Sequence, residues 1–354
     1  MKKTILSLVV AIVATTATFA QNTLVATLSH GDAVKMFFGP SALISANDEA
    51  ESGDVITLSG GTFACPNFTK GIIIRGTGIN AEKPTTIGYV EGIQKNYTIN
   101  IPHSDNSRFS IEGCIIHLYL INSGNNLTIS RESSNLYFLK CKIMSTITYT
   151  SSGDAKFVNC DITGFDLSGS GSVKFSNSYV MNFTCEADAS SKAEFLNCLY
   201  SGDSYGTKIN RSSFVNCILK SGSTNNDMFG IPSETMAMNC LAIGSESFFN
   251  DVPSAIDCSA VNLYGQAIPT IFKEYTSFTD RWGSTWYSLT SPFELTDEAK
   301  AKYLGTDGKE IGLYGGQYPY DFTPNYPRIT KLNVAKQTTA DNKLSVDIEV
   351  SAAE

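Results

Sequence analysis

The segment Phe157-Val-Asn-Cys160-Asp-Ile162 recurs through the middle of this 354-residue chain and decides its fold. Each copy reads apolar, variable, Asn or another small or polar residue, Cys, variable, apolar. Further copies, one with Ser178 in place of the Cys, occur at Phe138–Ile143, Phe175–Val180, Phe195–Tyr200 and Phe214–Leu219, with related units at Ile111–Ile116, Met236–Ile243 and Ala255–Val261. Self-similarity at a regular period indicates a repeat architecture. The chain is therefore predicted to be a solenoid.

The spacing of the units identifies the kind of solenoid. From Cys141, the steps to the next equivalent positions are 19, 18, 20, 19, 23 and 18 residues. Helical hairpin repeats need periods above about 30 residues and an apolar periodicity of about 3.6, and leucine-rich repeats need a Leu and Asn framework. These segments have neither, so each repeat is predicted to form one coil of strands that pair with their equivalents in the next coil.

The pattern within a unit predicts which side chains face the interior. Phe157, Cys160 and Ile162 are expected to point inward, and Val158 and Asp161 outward. Asn159 lies where the chain must bend between two strands, and Asn tolerates the left-handed backbone conformation of such a corner. Stacked Asn amides are expected to bond to one another from coil to coil.

The nine cysteines are predicted to be buried free thiols rather than disulfides or metal ligands. Equivalent positions in stacked parallel strands lie roughly 4.8 Å apart, whereas the Cβ atoms of a relaxed disulfide lie about 3.8 Å apart. Metal sites usually contain close pairs such as Cys-x-x-Cys, and the chain has none. Some disulfide formation remains an alternative at this stage.

The N-terminal part of the chain predicts a short amphipathic helix followed by a first strand. Apolar residues three and four positions apart lie between Pro40 and Ala50, with Ser41 as N-cap, and Gly53-Asp-Val-Ile-Thr-Leu58 follows. This order resembles right-handed parallel β-helix proteins of the pectate-lyase-like superfamily, particularly secreted bacterial members with no known activity. In that family a helix caps the open end, which would otherwise be an exposed sheet edge.

The C-terminal part resembles the closing coils of the same proteins, in Trp286–Pro292 and Gly305–Gly316. Two alternating runs, Ile329–Val334 and Leu344–Val350, predict a β-hairpin tail that either packs on the last coil or serves attachment. The predicted organisation is a signal peptide at 1–20, an N-terminal strand and capping helix at 21–70, a β-helix at 71–322 and the tail at 323–354. The resemblance covers roughly residues 40–317.

The N-terminus and the charge indicate where the protein acts. Met1-Lys2-Lys3 and the short apolar run after it predict a secretory signal peptide cleaved before Gln21, so we expect a secreted or extracytoplasmic protein, in the periplasm or at the cell surface. The run is too short for the roughly 20 residues of a membrane span. Without Lys2 and Lys3, 24 basic residues face 34 acidic ones, a net charge of −10. Nucleic acid and acidic polymers are therefore unfavourable partners.

The sequence does not contain the catalytic motifs of the family's known enzymes. Hydrolysis needs two or three carboxylates in one groove, and lyases need a strong base and commonly Ca²⁺ held by Asp residues. The polygalacturonase and pectate lyase signatures are absent. The outward row after each Cys becomes apolar along the chain and is better suited to being covered by a loop, the tail or a partner: Lys142, Asp161, Tyr179, Leu199, Ile218 and Leu241.

Three polar or aromatic clusters contain candidate ligand contacts, and each has a plainer alternative. Asp105 and Arg108 provide an acid and a cation near His103, in what is otherwise an exposed turn. Asn225, Asn226 and Asp227 offer oxygen ligands for Ca²⁺ or hydrogen bonds for a sugar, with a turn as the alternative. Trp282 and Trp286 could stack on sugar rings, or cap the final coil.

Two functions follow from these observations. The favoured hypothesis is a non-catalytic β-helix without a cofactor, which presents an extended surface to a glycan or a cell-surface protein. The alternative is a carbohydrate-active enzyme, a lyase or glycosidase of unfamiliar type. Three or more charged residues on one face of adjacent coils would favour the enzyme, and a bare or apolar face would favour the binding protein.

Overall fold

The computed structural model describes residues 24–93, 97–102, 104–118, 126–130, 132–185, 191–202, 211–221, 234–250, 252–262, 268–273, 293–334 and 346–351. They form a right-handed parallel β-helix of about nine turns, with an N-terminal helix and a C-terminal hairpin. The predicted fold class is therefore confirmed. The predicted signal peptide at 1–20 lies outside the described residues.

The strands of the first sheet lie in one continuous stack. Their spatial order is β2 (Ala33–Phe38), β1 (Val25–His30), β3 (Val55–Leu58), β5 (Ile73–Arg75), β8 (Phe109–Glu112), β11 (Leu136–Leu139), β13 (Asp154–Val158), β15 (Ser172–Ser176), β18 (Lys192–Leu196), β20 (Ser212–Val215), β22 (Met236–Met238) and β24 (Ser254–Ile256). From β3 onward every pairing is parallel, as expected when each strand pairs with its equivalent in the next coil.

Each coil continues into a second sheet, and the middle coils into a third. The second sheet contains β4 (Gly61–Ala64), β6 (Thr85–Gly88), β9 (Ile115–His117), β12 (Lys142–Tyr149), β14 (Asp161–Leu167), β16 (Tyr179–Met181), β19 (Leu199–Gly202), β21 (Ile218–Ser221), β23 (Leu241–Gly244) and β25 (Ser259–Asn262). The third sheet consists of β7 (Thr98–Ile99), β10 (Leu127–Ile129), the second halves of β12 and β14, and β17 (Phe183–Cys185).

The interior contains the stacked residues that the repeat predicts. The rings of Phe138 and Phe157 stack at 4.6 Å, and the stack continues through Phe175, Phe195 and Phe214. The nine cysteines are free, and eight of them are buried. Four of the thiols donate to carbonyl oxygens of the preceding coil, as Cys160 does to Phe138 at 3.4 Å; the other three are Cys141, Cys217 and Cys240. Burial raises the pKa of the Cys160 thiol. The prediction of buried free thiols agrees with this arrangement.

The corner between the first two sheets has the left-handed conformation expected of Asn. Asn159 has a φ of 52°. The equivalent residues of the other coils also have positive φ, between 45° and 63°: Gly113, Lys140, Asn177, Asn197, Asn216, Asn239 and Asp257. We refer to these eight residues as the corner row.

The helix predicted near residue 40 is present as α1 (Ala42–Glu49), which buries Ala42, Leu43 and Ala46 against the first strands. Ser41 occupies the N-cap position, but its side chain makes no capping hydrogen bond. Two shorter helices, α2 (Ile268–Ile271) and α3 (Asp297–Lys302), lie in the C-terminal part. None of the described helices is long and apolar enough to cross a membrane.

Residues 293–326, which we call the strap, run back along the outside of the coils. They cover the apolar outward row: Leu199, Ile218 and Leu241 are at most 1 % exposed and pack with Phe293, Leu295, Ile311 and Leu313 of the strap in a second hydrophobic core. The chain itself thus covers the row that we expected to be covered by a loop, a tail or a partner. The described part of the segment that resembles closing coils, Gly305–Gly316, belongs to this strap and adds no parallel strand.

The corner row holds the strap. Asn239 donates to the carbonyl of Leu304, Asn177 to those of Leu313 and Gly315, and Lys140 to Asp321. The expected bonds between stacked Asn amides are thus replaced at these positions by bonds to the strap, because its carbonyls lie directly over the corners. Close approach also explains the strap's glycines, since a Cβ on Gly316 would lie 2.0 Å from Asn197 Nδ2.

The predicted C-terminal hairpin is present as β26 (Arg328–Val334) paired antiparallel with β27 (Val346–Ser351). It follows directly after the strap. Just before it, the Tyr326 hydroxyl donates to the carbonyl of Gly76 at 2.6 Å, beside β5 in the early coils. The chain therefore returns from the last coils to the first before the hairpin begins, so the segment leading into the hairpin contacts early coils rather than the last one.

Candidate functional site

The outer face of the third sheet carries polar side chains in register across five coils, and four of the five are threonines. Alternation along each strand points one set of residues inward, and Ile99, Ile129 and Tyr149 are fully buried. The residues beside them face outward and pair from strand to strand in the order Thr98, Thr128, Thr148, Asp166 and Thr184. Neighbours in such a row are separated by roughly 4.8 Å, the spacing of paired strands.

A second outward row lies two residues further along each chain segment. It contains Asn100, Ser130, Thr150 and Ser168, all partly or fully accessible. Residues two apart on a strand point to the same side and lie roughly 6.6 Å apart. The two rows together form a regular grid of hydroxyl and amide groups, which we call the hydroxyl face.

Hydrogen bonds within the hydroxyl face fix several of its side chains. Thr98 contacts Asn67 Oδ1 at 3.1 Å, and Asn126 donates to Thr148 Oγ1 at 3.2 Å. In the second row, Ser130 donates to Asn100 Oδ1 at 2.5 Å. A hydroxyl has one donor and two acceptor lone pairs, so a Thr that donates to a neighbour still has an acceptor to offer to a ligand.

Asp166 is the one charged residue in the described part of these two rows. Its Oδ1 accepts a hydrogen bond from Thr184 at 3.1 Å. Hydrolysis of a glycosidic bond by the usual mechanisms needs a pair of carboxylates. Within the described rows, the groups present are therefore suited to hydrogen bonding with a neutral polar ligand.

Asp105 has a structural position in a loop near the N-terminal end. Its carboxylate accepts hydrogen bonds from the Ser52 hydroxyl and from the backbone N–H groups of Gly71 at 2.8 Å and Ser107 at 2.9 Å. Burial acts to raise the pKa of Asp105, but these bonds outweigh it and hold the pKa below its ordinary value. The side chain thus joins three loop segments.

Arg108 points to different neighbours from those of Asp105, on the outer face of the first sheet. Its Nη2 lies 3.9 Å from Glu112 Oε1, and its guanidinium carbon lies 4.9 Å from the ring centre of Tyr137. The structure therefore does not assemble Asp105 and Arg108 into one acid–cation site.

The remaining predicted contacts fall in parts of the chain that are not described. Asn225, Asn226 and Asp227 lie there, as do Trp282, Trp286 and His103. The suggested Ca²⁺ site at residues 225–227 is therefore untested. Among the described residues, no group of three or more His, Cys, Asp or Glu side chains is placed to hold a metal ion.

Sequence reasoning missed the hydroxyl face. The signal was present in the triplets Thr98-Ile-Asn100, Thr128-Ile-Ser130 and Thr148-Tyr-Thr150, which share an outward, inward, outward pattern. Comparison with known proteins adds no assignment, because no family model, curated protein or solved structure matches the chain. The site must therefore be interpreted from its own chemistry.

Proposed function

We propose that this protein is a secreted, non-catalytic β-helix that binds a neutral glycan chain along its hydroxyl face. The observation that carries the proposal is the register of Thr98, Thr128, Thr148 and Thr184 on one accessible face. A glycan presents hydroxyl groups at a regular interval, and a grid of fixed donors and acceptors can bond to several of them together.

Two further observations support a glycan as the ligand class. The resemblance of the N-terminal segment to pectate-lyase-like proteins implies a fold that mostly handles carbohydrates, although a fold alone does not assign a function. The net charge, −8 for the full sequence and −10 without Lys2 and Lys3, makes a neutral chain a better partner than a polyanion. The predicted signal peptide agrees with a role outside the cytoplasm.

The enzyme alternative has two supporting observations. Arg75, Arg108 and Glu112 place three charges on adjacent coils, and Lys156, Lys174 and Glu194 are in register on three later coils of the same sheet. Glu112 lies between both cations, and two-carboxylate hydrolysis would need a second acid. A binding role therefore accounts for the groups with fewer additional requirements. The experiment below includes an assay for product so that catalysis would be detected.

The test is a glycan array with the mature protein, with and without Ca²⁺. It is followed by titration calorimetry on the neutral oligosaccharides that bind and by an assay for reducing ends and unsaturated products. Thr128→Val and Thr148→Val keep the side-chain shape and remove the hydroxyl. Each is expected to weaken binding about fivefold to tenfold, the effect of roughly 1 kcal/mol. Thr57→Val, at an exposed position on the first sheet, is the matched control and should bind normally.

The outcomes separate the two functions. Binding that the two hydroxyl-face variants weaken, without new reducing ends or unsaturated products, supports the recognition role. Product formation on a bound polysaccharide would contradict the recognition role and support the enzyme alternative. Binding that is unchanged in both variants, or the absence of any glycan ligand, would rule out the hydroxyl face as the glycan site.

A further inference from the structure

A second cluster, on the outer face of the first sheet, places two arginines around one buried carboxylate. Arg75 at the end of β5 is directly opposite Glu112 at the end of β8 in the strand register. Arg75 Nε lies 3.3 Å from Glu112 Oε2, and Arg108 Nη2 lies 3.9 Å from the other carboxylate oxygen. Glu112 is only 5 % exposed and also accepts from the Ser110 hydroxyl at 2.9 Å.

Each guanidinium is also held against an aromatic ring. The guanidinium carbon of Arg75 lies 5.4 Å from the ring centre of Tyr326, and that of Arg108 lies 4.9 Å from the ring centre of Tyr137. The Tyr326 hydroxyl donates to the Gly76 and Glu112 carbonyls, so the strap fixes that ring in place. A carboxylate at the edge and a ring at the face restrict the orientation of each cation.

The arrangement leaves cationic binding capacity unused. A guanidinium has five N–H donors, and the contacts to Glu112 occupy only a part of each fork. The side chains of Arg75 and Arg108 are 36 % and 48 % exposed. Two cations around one carboxylate leave a local charge of about +1, on a chain whose overall charge is negative.

We propose that Arg75 and Arg108 form a subsite for a single oxyanion, the carboxylate or sulfate substituent of a sugar. Planar forks of N–H donors match the oxygen atoms of these groups, and the tyrosine rings beside them offer an apolar surface to the sugar. The negative overall charge of the chain disfavours a long polyanion, so the fitting ligand carries an isolated charge.

This subsite goes beyond the proposed function, because it lies on the first sheet and recognises charge. The hydroxyl face lies on the third sheet and is suited to neutral groups. A failure of either proposal leaves the other intact, since neutral glycan binding depends on Thr128 and Thr148, and anion binding depends on Arg75 and Arg108.

Titration calorimetry of the full mature chain at low ionic strength tests the subsite with four probes. They are methyl glucuronide, glucose 6-sulfate, methyl glucoside and inorganic sulfate. The first two are expected to bind and the neutral methyl glucoside is not. Arg75→Gln and Arg108→Gln should each weaken binding of the anionic sugars at least tenfold, as loss of one charge-assisted contact predicts.

Lys174→Gln is the matched control. Lys174 is also 48 % exposed, lies on the outer face of the same sheet and pairs with Glu194 at 2.7 Å, so its loss removes an equivalent charge from another place. Binding should be unchanged in this variant. Arg75→Gln removes a cation from the buried Glu112 carboxylate and could destabilise the fold, so Arg75→Lys is measured as well. Arg75→Lys keeps the charge and should keep the fold, but its binding should be weakened because the planar fork is lost.

The inorganic sulfate arm identifies the source of the oxyanion. Tighter binding of glucose 6-sulfate than of inorganic sulfate would show that the ligand is an oxyanion carried by a sugar. Equal binding would show that the site binds an oxyanion but that its ligand is a free anion. The subsite is excluded if neither anionic sugar binds, or if methyl glucoside binds equally well and the arginine variants weaken its binding equally. It is also excluded if folded Arg75→Lys and Arg108→Gln proteins bind the anionic sugars as the unaltered protein does.

Discussion

The side-chain amide of Asn177 donates a hydrogen bond of 2.9 Å to the carbonyl oxygen of Leu313, which lies 136 residues later in the chain. The same amide donates to Gly315 at 2.8 Å. Asn177 therefore has two functions. Its backbone forms the left-handed corner with a φ of 45°, and its side chain holds the strap over the second hydrophobic core.

Replacing Asn177 with Gly separates these two functions, because Gly adopts the corner conformation and lacks the amide. We expect Asn177→Gly to lower the free energy of unfolding by about 2 kcal/mol, since two hydrogen bonds to buried carbonyls are lost and the Leu313 carbonyl keeps only the one from the Tyr320 N–H. Asn182→Gly is the matched control, with a similar φ of 47°. It should cost less than about 0.5 kcal/mol. Chemical denaturation followed by circular dichroism measures both, and equal losses would contradict the amide's role.

Lys140 holds the end of the strap nearest the hairpin. Its buried ammonium donates to Asp321 Oδ2 at 3.1 Å, the Thr323 carbonyl at 2.5 Å and Asn325 Oδ1 at 2.8 Å. Lys140→Asn supplies the residue found at most other corners and removes these three bonds. We expect a loss of about 2 kcal/mol and faster proteolysis between residues 321 and 327. Lys156→Asn, which removes an exposed cation, should change neither; an equal cleavage rate in both variants would argue against the anchor.

The coils could be predicted from the sequence because their determinants are local. Phe157, Asn159 and Cys160 lie within four residues, and a period of 18 to 23 residues repeats the pattern along the chain, which specifies the interior stack. The strap could not be predicted in this way. The bond from Asn177 to Leu313 joins segments that share no pattern, and the glycines at 305–316 suit a coil turn as well as a close approach to asparagines.

The hydroxyl face and the arginine pair could be identified only once the strand register between neighbouring coils was known. Thr98 and Thr128 are 30 residues apart, outside the regular interval, so their alignment becomes evident only when β7 and β10 are seen to pair. Arg108 could be selected from the sequence as a cation near an acid. Its partner, Glu112, lies only four residues later in the sequence. The cluster around Glu112 was not identified, because Arg75 comes from the preceding coil and the Tyr326 ring from the far end of the chain.

The nine free cysteines lead to a prediction about thiol reactivity. Eight cysteines are buried and Cys258 is partly accessible. Burial raises the pKa of the Cys65 and Cys114 thiols, which suppresses the reactive thiolate. An Ellman titration of the native protein should therefore detect at most Cys258, slowly, and Cys258→Ser should remove that signal. In denaturant without reductant all nine thiols should react, and a total of seven or fewer would show that a disulfide forms.

Asp161 leads to a prediction about pH. It lies beneath the strap, 3.7 Å from Lys142 Nζ, and its charge acts on the buried Tyr320. Burial raises the pKa of Asp161 from 3.8 to about 6, and the opposing charge of Lys142 only partly offsets this effect. Because the pKa in the folded state is higher than in the unfolded state, the protonated form is favoured by folding. The stability that Asp161 contributes is therefore complete below about pH 4 and is lost as the pH rises through about 6.

Substitution with Asn removes this titration while keeping the shape of the side chain. The free energy of unfolding, measured by denaturant titration, should fall between about pH 4 and pH 7 by on the order of 2 kcal/mol more in the unaltered protein than in Asp161→Asn. Asp32→Asn removes an exposed carboxylate and should leave the profile unchanged. If Asp161→Asn follows the same pH profile as the unaltered protein, folding does not raise the pKa of Asp161, and the strap does not shield its carboxyl from water.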